Sequence, residues 1–357
     1  MAKKIVLTGG GTAGHVTPNI ALIPELQKQG YEVSYIGSYT GIEKTLIEEL
    51  GIPYTGISSG KLRRYFSLQN FSDPFRVIRG YGEAVAALKR IRPDVVFSKG
   101  GFVAVPVVLA AKQLKIPTVI HESDMTPGLA NKLCIPSAKY VCANFPETLQ
   151  NLPKDKAVLT GTPIRRELFM GNREKGLAFC GFDSSKPILM VVGGSLGAMT
   201  VNQAVREILP ELLKHFQVVH LCGKGKTDTT LNGMKGYIQF EYVDKEMRDL
   251  FAATDLVISR AGANAICEIL ALKIPNILIP LPADASRGDQ ILNAKSFAAQ
   301  GFSKLLEEES MTKETLLEAA LEVYQNRDTY IKAMTESKQT DAIPVILDLL
   351  EKSRKKS

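Results

Sequence analysis

Two glycine-rich segments each follow a short run of apolar, β-branched residues and precede a segment with helical spacing. The first is GGGTAGH at residues 9–15, and the second is GGSLGA at residues 193–198. Glycines let the chain turn sharply beside a ligand, and the following helix offers free N–H groups and a positive dipole end to negative charge. Ser195 adds a hydroxyl donor that suits a phosphate oxygen. The two loops therefore predict binding sites for anionic groups.

The first loop also satisfies the dinucleotide pattern GxGxxG through Gly9, Gly11 and Gly14. That pattern requires a carboxylate after the second strand to bind a ribose hydroxyl, whereas residues 32–36 are followed here by Gly37-Ser38. On this motif alone, a tight strand-to-helix turn with no ligand is therefore favoured over nicotinamide binding.

Acid–base candidates follow predicted strands in the first half of the chain. They are His15 in the first loop and the segment HESD at residues 121–124. Open α/β sheets bind ligands at the carboxyl ends of their strands, which favours these positions over His215 and His220, predicted to be surface and core. The chain has no HxxxH, HxH or Asp-x-Asp pattern, so no metal is expected.

Two segments of the second half carry polar side chains after predicted strands. In SRAGANAICE (259–268), Glu268 would lie on the same helical face as Asn264, where a carboxylate can accept both hydroxyls of a ribose. In SRGDQILNA (286–294), amides and carboxylates could contact sugar hydroxyls, although an ordinary capping loop has the same composition.

The elements that must position these residues alternate between strand and helix. Ten apolar runs predict parallel strands: KIVLT, EVSYIG, DVVFS, PTVIH, YVCA and AVLT in the first half, and PILMVV, QVVHLC, DLVIS and NILIP in the second. An offset of 183 positions aligns the two glycine loops, together with Asn19 on Asn202 and Ala21 on Ala204. The sequence therefore predicts an α/β protein of two similar domains with a boundary near residues 161–163.

Composition excludes several other classes. At 357 residues, with 45% hydrophobic and 23% charged residues, the chain is a two-domain globular protein in which the longest apolar stretch is too short to span a bilayer. Five cysteines without a CxxC pair predict reduced, mostly buried thiols in a cytoplasmic protein, and the N-terminus lacks the pattern of a signal peptide. The net charge of +7 lies in residues 1–163, which hold 19 basic and 12 acidic residues.

Seven segments, spread over essentially the whole chain, together resemble the MurG family of glycosyltransferases, which add GlcNAc to lipid I in peptidoglycan synthesis. They are GGTAGHVTPNIAL, SKGGFVAVPVVLAA, HESDMTPGLANK, TGTPIR, VVGGSLGAMTVN, SRAGANAICE and SRGDQILNA. The resemblance implies a GT-B fold, in which two Rossmann-like domains with doubly wound parallel sheets face each other across a cleft. Residues 1–163 would form the acceptor and membrane-binding domain, 164–340 the UDP-GlcNAc domain, and 341–357 a helix that returns to the first domain.

The resemblance also implies an inverting transfer from UDP-GlcNAc to the 4-hydroxyl of MurNAc in lipid I, without a metal or other cofactor. It assigns to substrate binding Thr12, Ala13, Gly14, Asp124, Arg165, Ser195, Val243, Ala263, Asn264, Ala265, Glu268 and Gln290. Within this set, Arg165 and Ser195 would meet the diphosphate, Val243 the uracil, Glu268 the ribose and Gln290 the sugar. Asp124 stands where some members have Asn, and Asp289-Gln290 where some have two glutamines.

The transfer needs a base that removes the proton of the acceptor hydroxyl. His15 is the predicted base, because the ordinary pKa of histidine, near 6.5, suits that task, and Glu122 or Asp124 is a rival base or an orienting partner. With no metal, the charge that develops on UDP would be stabilised by the 193–197 loop, its helix N-terminus and Arg165.

A basic and aromatic segment at residues 61–81 predicts contact with an anionic membrane surface. Residues 60–92 alone carry eight basic and two acidic side chains. Asp73-Pro74 is a typical helix start, and Val85 and Leu88 are expected to face the core. The predicted membrane-contacting residues are Leu62, Arg63, Arg64, Phe71, Phe75, Arg76, Ile78 and Arg79.

Two other functions remain open from the sequence. One is a GT-B transferase that acts on another lipid acceptor, and the other is a non-catalytic protein that binds a nucleotide sugar. Nucleic acid is not expected as a partner, because the basic excess is local and no recognition motif accompanies it. The expected location is peripheral, on the cytoplasmic face of the cell membrane.

Overall fold

The computed structural model describes residues 2–60, 73–193, 198–283, 288–337, 339 and 342–355, and only the backbone of residues 73–75. The chain divides into two compact units. Unit 1 is Met1–Arg165 together with Asp341–Ser357, and unit 2 is Arg166–Thr340. The division falls after Arg165, close to the boundary near 163 that the sequence predicts.

Unit 1 contains a sheet of seven parallel strands among the described residues. The strands are β1 (Lys3–Thr8), β2 (Tyr31–Ser38), β3 (Tyr54–Ile57), β4 (Val95–Ser98), β5 (Thr118–Glu122), β6 (Tyr140–Ala143) and β7 (Ala157–Leu159). Their order across the sheet is β3-β2-β1-β4-β5-β6-β7. The chain therefore winds outward in both directions from β1 and β4, as in a doubly wound sheet.

Unit 2 contains a second parallel sheet, with six strands among the described residues. They are β8 (Ile188–Val192), β9 (Gln217–Leu221), β10 (Tyr237–Phe240), β11 (Leu256–Ser259), β12 (Asn276–Leu278) and β13 (Lys304–Leu305). The order is β10-β9-β8-β11-β12-β13, so the chain again winds outward in both directions, here from the neighbouring strands β8 and β11. The predicted fold class, α/β with two doubly wound parallel sheets, is confirmed.

Helices connect the strands in both units. In unit 1 they are α1 (Thr17–Lys28), α2 (Ile42–Glu48), α3 (Asp73–Ile91), α4 (Ala104–Gln113) and α5 (Leu129–Cys134). In unit 2 they are α6 (Arg173–Cys180), α7 (Met199–Glu207), α8 (Leu209–His215), α9 (Met247–Ala253), α10 (Ala263–Leu272), α11 (Asp289–Ala299), α12 (Lys313–Gln325) and α13 (Arg327–Glu336). A last helix, α14 (Ala342–Ser353), belongs to unit 1.

All ten predicted strands are present, because strands buried on both faces of a parallel sheet are continuously apolar. Three further strands, β3, β10 and β13, were not predicted. Each of them is an edge strand of its sheet and is only partly buried. β3 and β10 contain polar residues, and β13 is only two residues long. These edge strands carry little of the apolar signal, so the sequence did not indicate them, whereas the edge strand β7 was predicted because its residues, Ala-Val-Leu, are all apolar.

The five cysteines are buried and none forms a disulfide, in agreement with the predicted buried thiols. Burial raises the pKa of the thiols of Cys134, Cys142 and Cys180 to about 12. These side chains therefore act as small apolar groups in the core rather than as nucleophiles.

Helix α14 completes the core of unit 1. Its buried residues Ile346 and Leu350 join the apolar cluster that contains Ile5 and Phe97 of the sheet. At its last turn, the carboxylate of Glu351 accepts hydrogen bonds from Lys3 Nζ at 3.1 Å and from the hydroxyl of Tyr31 at 2.8 Å. The helix is therefore attached by both apolar burial and polar contacts.

The polar contacts of Glu351 depend on pH. Burial raises the pKa of this carboxyl, but hydrogen bonds from Arg354, Tyr31 and Lys3 outweigh that effect and lower the pKa to about 2. Because the folded-state pKa is depressed below its ordinary value of 4.5, the contacts stabilise the fold above about pH 4.5. That contribution is lost as the pH falls towards 2.

Leu350→Ala is expected to lower the free energy of unfolding by about 2–5 kcal/mol, because the fully buried side chain leaves a cavity between α14 and the sheet. Urea unfolding followed by circular dichroism measures the change. Val345→Ala, on the exposed side of the same helix, is the control and should change stability by less than about 1 kcal/mol. Equal stability of the two variants would contradict the packing of α14.

Candidate active site

In unit 1 two segments with predicted site residues lie at the carboxyl ends of strands. Residues 9–15 follow β1, and residues 121–124 include the end of β5 and the loop after it. Lys99, which the sequence analysis did not name as a site residue, follows β4. Because β1, β4 and β5 are adjacent in the sheet, the structure brings these segments to one edge. This edge is the usual position of a ligand site in an open α/β sheet.

The glycine loop presents His15 through a short 3₁₀ turn at Ala13–His15. The hydroxyl of Thr12 lies 2.9 Å from Nδ1 of His15, and the backbone N–H of His15 donates to the carbonyl of Thr12 at 3.1 Å. Thr12 and Ala13 are exposed, and Gly14 and His15 are half-buried. The imidazole of His15 therefore lies near the surface, and the contact with Thr12 limits its orientation.

The loop after β4 packs directly against the glycine loop. A Cβ on Gly101 would lie 2.3 Å from the carbonyl oxygen of Gly10, so only glycine permits this approach. A Cβ on Gly100 would lie 3.5 Å from Cδ2 of His15, which places the imidazole beside the same backbone. The SKGG segment thus forms one wall of the site.

Glu122 organises the loop that follows β5. Its Oε1 accepts the N–H of Asp124 at 2.9 Å, and its Oε2 accepts the N–H of Gly128 at 3.0 Å and Nδ2 of Asn131 at 2.9 Å. Glu122 is 4% exposed. Both carboxylate oxygens are thus occupied by donors of the protein, which favours the orienting role over that of a base.

His121 and Lys99 form a buried polar pair that the sequence analysis did not single out as a unit. Nζ of Lys99 lies 2.8 Å from Nδ1 of His121 and also donates to the hydroxyl of Ser123. Burial and the Lys99 charge hold the pKa of His121 well below 6.5, so the ring is neutral. Nε2–H donates to the carbonyl of Gly161 at 2.8 Å, which leaves Nδ1 as the acceptor of the Lys99 proton.

Two other predicted residues of unit 1 are half-buried. Asp124 lies in the loop after β5, where its carbonyl accepts the hydroxyl of Thr148 at 3.4 Å. Arg165 is the last residue of the first segment of unit 1. The sugar contact of Asp124 and the diphosphate contact of Arg165 stay predictions.

In unit 2 the predicted donor residues share the carboxyl edge of the second sheet. Val243 follows β10 and is buried, Ala263, Asn264 and Ala265 form the first turn of α10 after β11, and Gln290 opens α11 after β12. Glu268 is half-buried one turn beyond Asn264 on α10. Ser195 lies outside the described residues.

Gln290 has a contact within unit 2. Its side-chain oxygen accepts the N–H of Leu281 at 3.1 Å, and this hydrogen bond orients the amide so that the NH₂ group points away from Leu281. On the same helix the buried Asn293 donates to the carbonyl of Ala261 at 3.2 Å. The start of α11 is thereby connected to the segments that follow β11 and β12.

Arg260 is a further charged residue at this edge that the sequence analysis missed. It is 7% exposed, and its Nη1 donates to the carbonyls of Ile279 and Pro280 at 3.1 and 3.0 Å. It also pairs with the carboxylate of Glu308. Arginine directly before the AGAN segment was the available signal, but its partners lie many residues away in the sequence.

An open cavity of 520 Å³ lies near the same edge of unit 2. It is lined by Thr200 at the start of α7, Pro282, Ala283, Glu308 and Glu309. The volume is within the range of small-molecule sites. Glu308, the partner of Arg260, thus connects the cavity wall to the end of β11.

No cluster of three or more histidine, cysteine, aspartate or glutamate side chains that could hold a metal ion occurs in the part of the chain that the structure describes. The short Asp-x-Asp pattern is also absent from the full sequence.

Only part of the predicted membrane segment is described. Leu62, Arg63, Arg64 and Phe71 lie outside the described residues, as does the side chain of Phe75. Helix α3 begins at Asp73, as predicted, and exposes Arg76, Ile78 and Arg79 in its first turns, with Ile78 69% exposed. Leu88 is buried and Val85 packs against the core, as expected.

Among the described residues, no helix is long and apolar enough to cross a membrane.

Comparison with known proteins identifies the class first. Residues 5–143 match the model of the glycosyltransferase family 28 N-terminal domain, and residues 188–349 match that of its C-terminal domain. Solved structures agree: the chain superposes on MurG of Acinetobacter baumannii with a TM-score of 0.75 and 27% identity, over 98% of this chain and 99% of that one. A kitacinnamycin glycotransferase has a similar fold, with a TM-score of 0.77 and 16% identity over 99% and 100% of the two chains. The GT-B fold that the resemblance implied is confirmed.

Relatives of known name narrow the assignment. A protein of Lachnoclostridium phytofermentans is 68% identical over 354 residues, which are 99% of this chain and all of that one. A protein of Clostridium tetani is 58% identical over 99% of this chain and 98% of its own. Both are named UDP-N-acetylglucosamine–N-acetylmuramyl-(pentapeptide) pyrophosphoryl-undecaprenol N-acetylglucosamine transferase. The chain therefore belongs to the MurG family of glycosyltransferase family 28.

Proposed function

We propose that this protein transfers GlcNAc from UDP-GlcNAc to the 4-hydroxyl of MurNAc in lipid I, undecaprenyl-pyrophosphoryl-MurNAc-pentapeptide, and so produces lipid II for peptidoglycan synthesis. The observation that carries the proposal is the identity of 68%, over the full length of both chains, to a transferase named for this reaction. The arrangement of residues at the two sheet edges supports it, because each edge collects the polar groups that one substrate requires.

The donor belongs to unit 2 in this proposal. Val243 contacts the uracil through its backbone, Glu268 accepts the ribose hydroxyls, and the first turn of α10 faces the diphosphate and sugar with its positive dipole end. Gln290 contacts the sugar: its carbonyl oxygen is held by Leu281, so its NH₂ group remains to donate to a hydroxyl. Ser195 and Arg165 complete the diphosphate contacts.

The acceptor belongs to unit 1, where Thr12, Ala13 and Gly14 border the transferred GlcNAc and Asp124 lies near it. The 4-hydroxyl of MurNAc attacks C1 of GlcNAc, its proton passes to His15, and the bond from C1 to the UDP oxygen breaks with inversion. In this proposal, Arg165 and the N–H groups of the 193–197 loop stabilise the negative charge that grows on the β-phosphate. No cofactor takes part in this scheme.

The direct test measures UDP release from UDP-GlcNAc in the presence and absence of a lipid I analogue. We expect release that requires the analogue, together with a GlcNAc-extended product. Binding of UDP-GlcNAc with no transfer would favour the non-catalytic alternative, and transfer to another polyprenyl acceptor in preference to lipid I would favour the other transferase.

The same proposal places the protein peripherally at the cytoplasmic face of the cell membrane, where the tail of lipid I is embedded. The exposed Arg76, Ile78 and Arg79 at the start of α3 support it, because an apolar side chain between two cations suits an anionic lipid surface. No nucleic acid partner is proposed.

Arg76→Glu is expected to weaken binding to phosphatidylglycerol-rich vesicles roughly tenfold at low salt, since each cation near such a surface contributes about 1 kcal/mol. Flotation of the protein with vesicles measures the bound fraction. Lys332→Glu, which reverses an exposed charge in unit 2, is the matched control and should bind like the wild type. A wild type that does not float with anionic vesicles would refute the membrane assignment.

A further inference from the structure

A buried carboxylate lies behind the glycine loop, at a position that the reaction scheme does not use. Glu43, in the first turn of α2, is fully buried. Its Oε1 accepts the N–H of Ser38 at 3.0 Å and the hydroxyl of Ser38 at 2.5 Å. Its Oε2 accepts the N–H of Gly11 at 3.2 Å. The side chain therefore joins the end of β2 to the middle of the glycine loop.

Three glycines make room for this carboxylate. A Cβ on Gly10 would lie 2.4 Å from its carboxyl carbon, and a Cβ on Gly37 would lie 2.9 Å from its Cγ. On Gly41, the residue before α2, a Cβ would meet both carboxylate oxygens. These glycines come from the β1 loop, from β2 and from the start of α2. Glu43 thus explains glycine at positions 10 and 41, and at Gly37 it acts together with the hydroxyl of Tyr54, which would lie 2.4 Å from such a Cβ.

The contact between Glu43 and Gly11 holds the backbone just before Thr12 and His15, the predicted base. Gly11 precedes Thr12, whose hydroxyl lies 2.9 Å from Nδ1 of His15 and whose carbonyl accepts the N–H of His15. On its other side the loop is limited by Gly101, against the carbonyl of Gly10. The backbone before His15 therefore lies between two fixed surfaces, one of which is the carboxylate of Glu43.

We infer that Glu43 is a positioning residue for the transfer reaction, which holds the glycine loop so that Thr12 and His15 meet the acceptor hydroxyl. The inference rests on the proposed function, since it assigns no reaction of its own. Glu43 does not touch the substrates and acts through the backbone of Gly11. Loss of its contact would change the geometry of proton removal and leave the donor site in unit 2 intact.

Glutamine has nearly the same size as glutamate, but it lacks the negative charge and has one acceptor oxygen instead of two. Glu43→Gln therefore tests the hydrogen bonds of Glu43 without leaving a cavity. A carboxylate accepts hydrogen bonds at both oxygens, whereas an amide has one acceptor and one NH₂ donor. Ser38 offers two donors and Gly11 one, so the amide oxygen should face Ser38. The NH₂ group would then oppose the N–H of Gly11, and the loop would lose its contact.

We expect Glu43→Gln to lower kcat roughly 10- to 100-fold, because small displacements of a reacting group have effects of that size. The KM for UDP-GlcNAc should stay within about twofold of the wild-type value. Glu49→Gln, an exposed glutamate just beyond the same helix, is the matched control and should leave both constants unchanged. Wild-type kcat in Glu43→Gln would overturn the inference.

A double-mutant cycle with His15→Ala distinguishes positioning from general damage. If Glu43 acts through His15, Glu43→Gln should cause little further loss in the His15→Ala background. Losses that multiply would overturn the inference. If circular dichroism shows that Glu43→Gln does not fold, Gly10→Ala, whose Cβ displaces the same carboxylate, takes its place in the cycle.

Measurement of lipid I-dependent transfer by the wild type distinguishes failure of this inference from failure of the proposed function on which it rests. Absence of lipid I-dependent transfer by the wild type overturns the proposed function and the inference with it. Transfer by the wild type together with an unimpaired Glu43→Gln overturns only the inference.

Discussion

Replacement of His15 by alanine is expected to lower the turnover number about 100-fold or more, while binding of UDP-GlcNAc is retained. Its imidazole is half-buried at the carboxyl edge of the unit 1 sheet, and Thr12 holds it through a contact of 2.9 Å. Histidine has an ordinary pKa near 6.5, so it can accept the proton of the acceptor hydroxyl at neutral pH. The residues predicted to contact the UDP part of the donor, apart from Arg165, lie in unit 2, which the substitution does not alter.

The test compares His15→Ala with the wild type in two measurements. Steady-state rates of UDP release give the turnover number, and calorimetry gives the affinity for UDP-GlcNAc. His215→Ala is the matched control, because His215 is an exposed histidine at the end of α8 and should be replaceable without effect. The decrease should be in kcat, and the acidic limb of the pH–rate profile should disappear with the base. Near-normal turnover in His15→Ala would exclude His15 as the base.

Glu122→Gln is expected to lower both stability and turnover, for a reason different from that of His15. The carboxylate of Glu122 accepts three hydrogen bonds, from Asp124, Gly128 and Asn131. An amide places its NH₂ group against at least one of these donors, so a buried group loses its partner at a cost of about 1–3 kcal/mol. The loop that carries Asp124 should then lose its geometry, and turnover should fall roughly tenfold or more.

The two variants together identify the base. If Glu122 orients the loop, the residual activity of Glu122→Gln should keep the acidic limb of the pH–rate profile that His15 produces. If Glu122 is the base, that limb should vanish in Glu122→Gln and persist in His15→Ala. Urea unfolding gives the stability change, and Glu32→Gln, an exposed glutamate on β2, should leave both quantities near their wild-type values.

The sequence predicted those parts of the fold whose signal is local. Buried parallel strands are continuously apolar, and the loops after them are marked by glycine and polar residues, so the ten strands and the segments near His15 and Glu268 could be located. Helix α3 was recognised from Asp73-Pro74 for the same reason. The sequence also predicted that polar residues after these strands belong to ligand sites, because adjacent parallel strands present their loops at one edge of the sheet, where open α/β sheets bind ligands.

Residues whose role depends on distant partners could not be found in this way. Glu43 resembles any helical glutamate until the fold places Gly11 and Ser38 against it. Lys99 is a lysine before two glycines until β4 and β5 bring it to His121. Arg260 meets Glu308 across 48 positions of sequence. Such contacts are formed by tertiary packing, and no periodicity or spacing along the chain indicates them.

The position of α14 has a consequence for synthesis of the chain. Unit 1 begins at the N-terminus, yet its apolar cluster includes Ile346 and Leu350, which leave the ribosome after the whole of unit 2. Domains of a growing chain generally fold in order from the N-terminus. Here the first unit cannot reach its final stability until α14 has been translated, so a nascent chain that lacks α14 exposes the apolar surface that this helix covers. Premature termination shortly before residue 342 would therefore impair the unit that is made first.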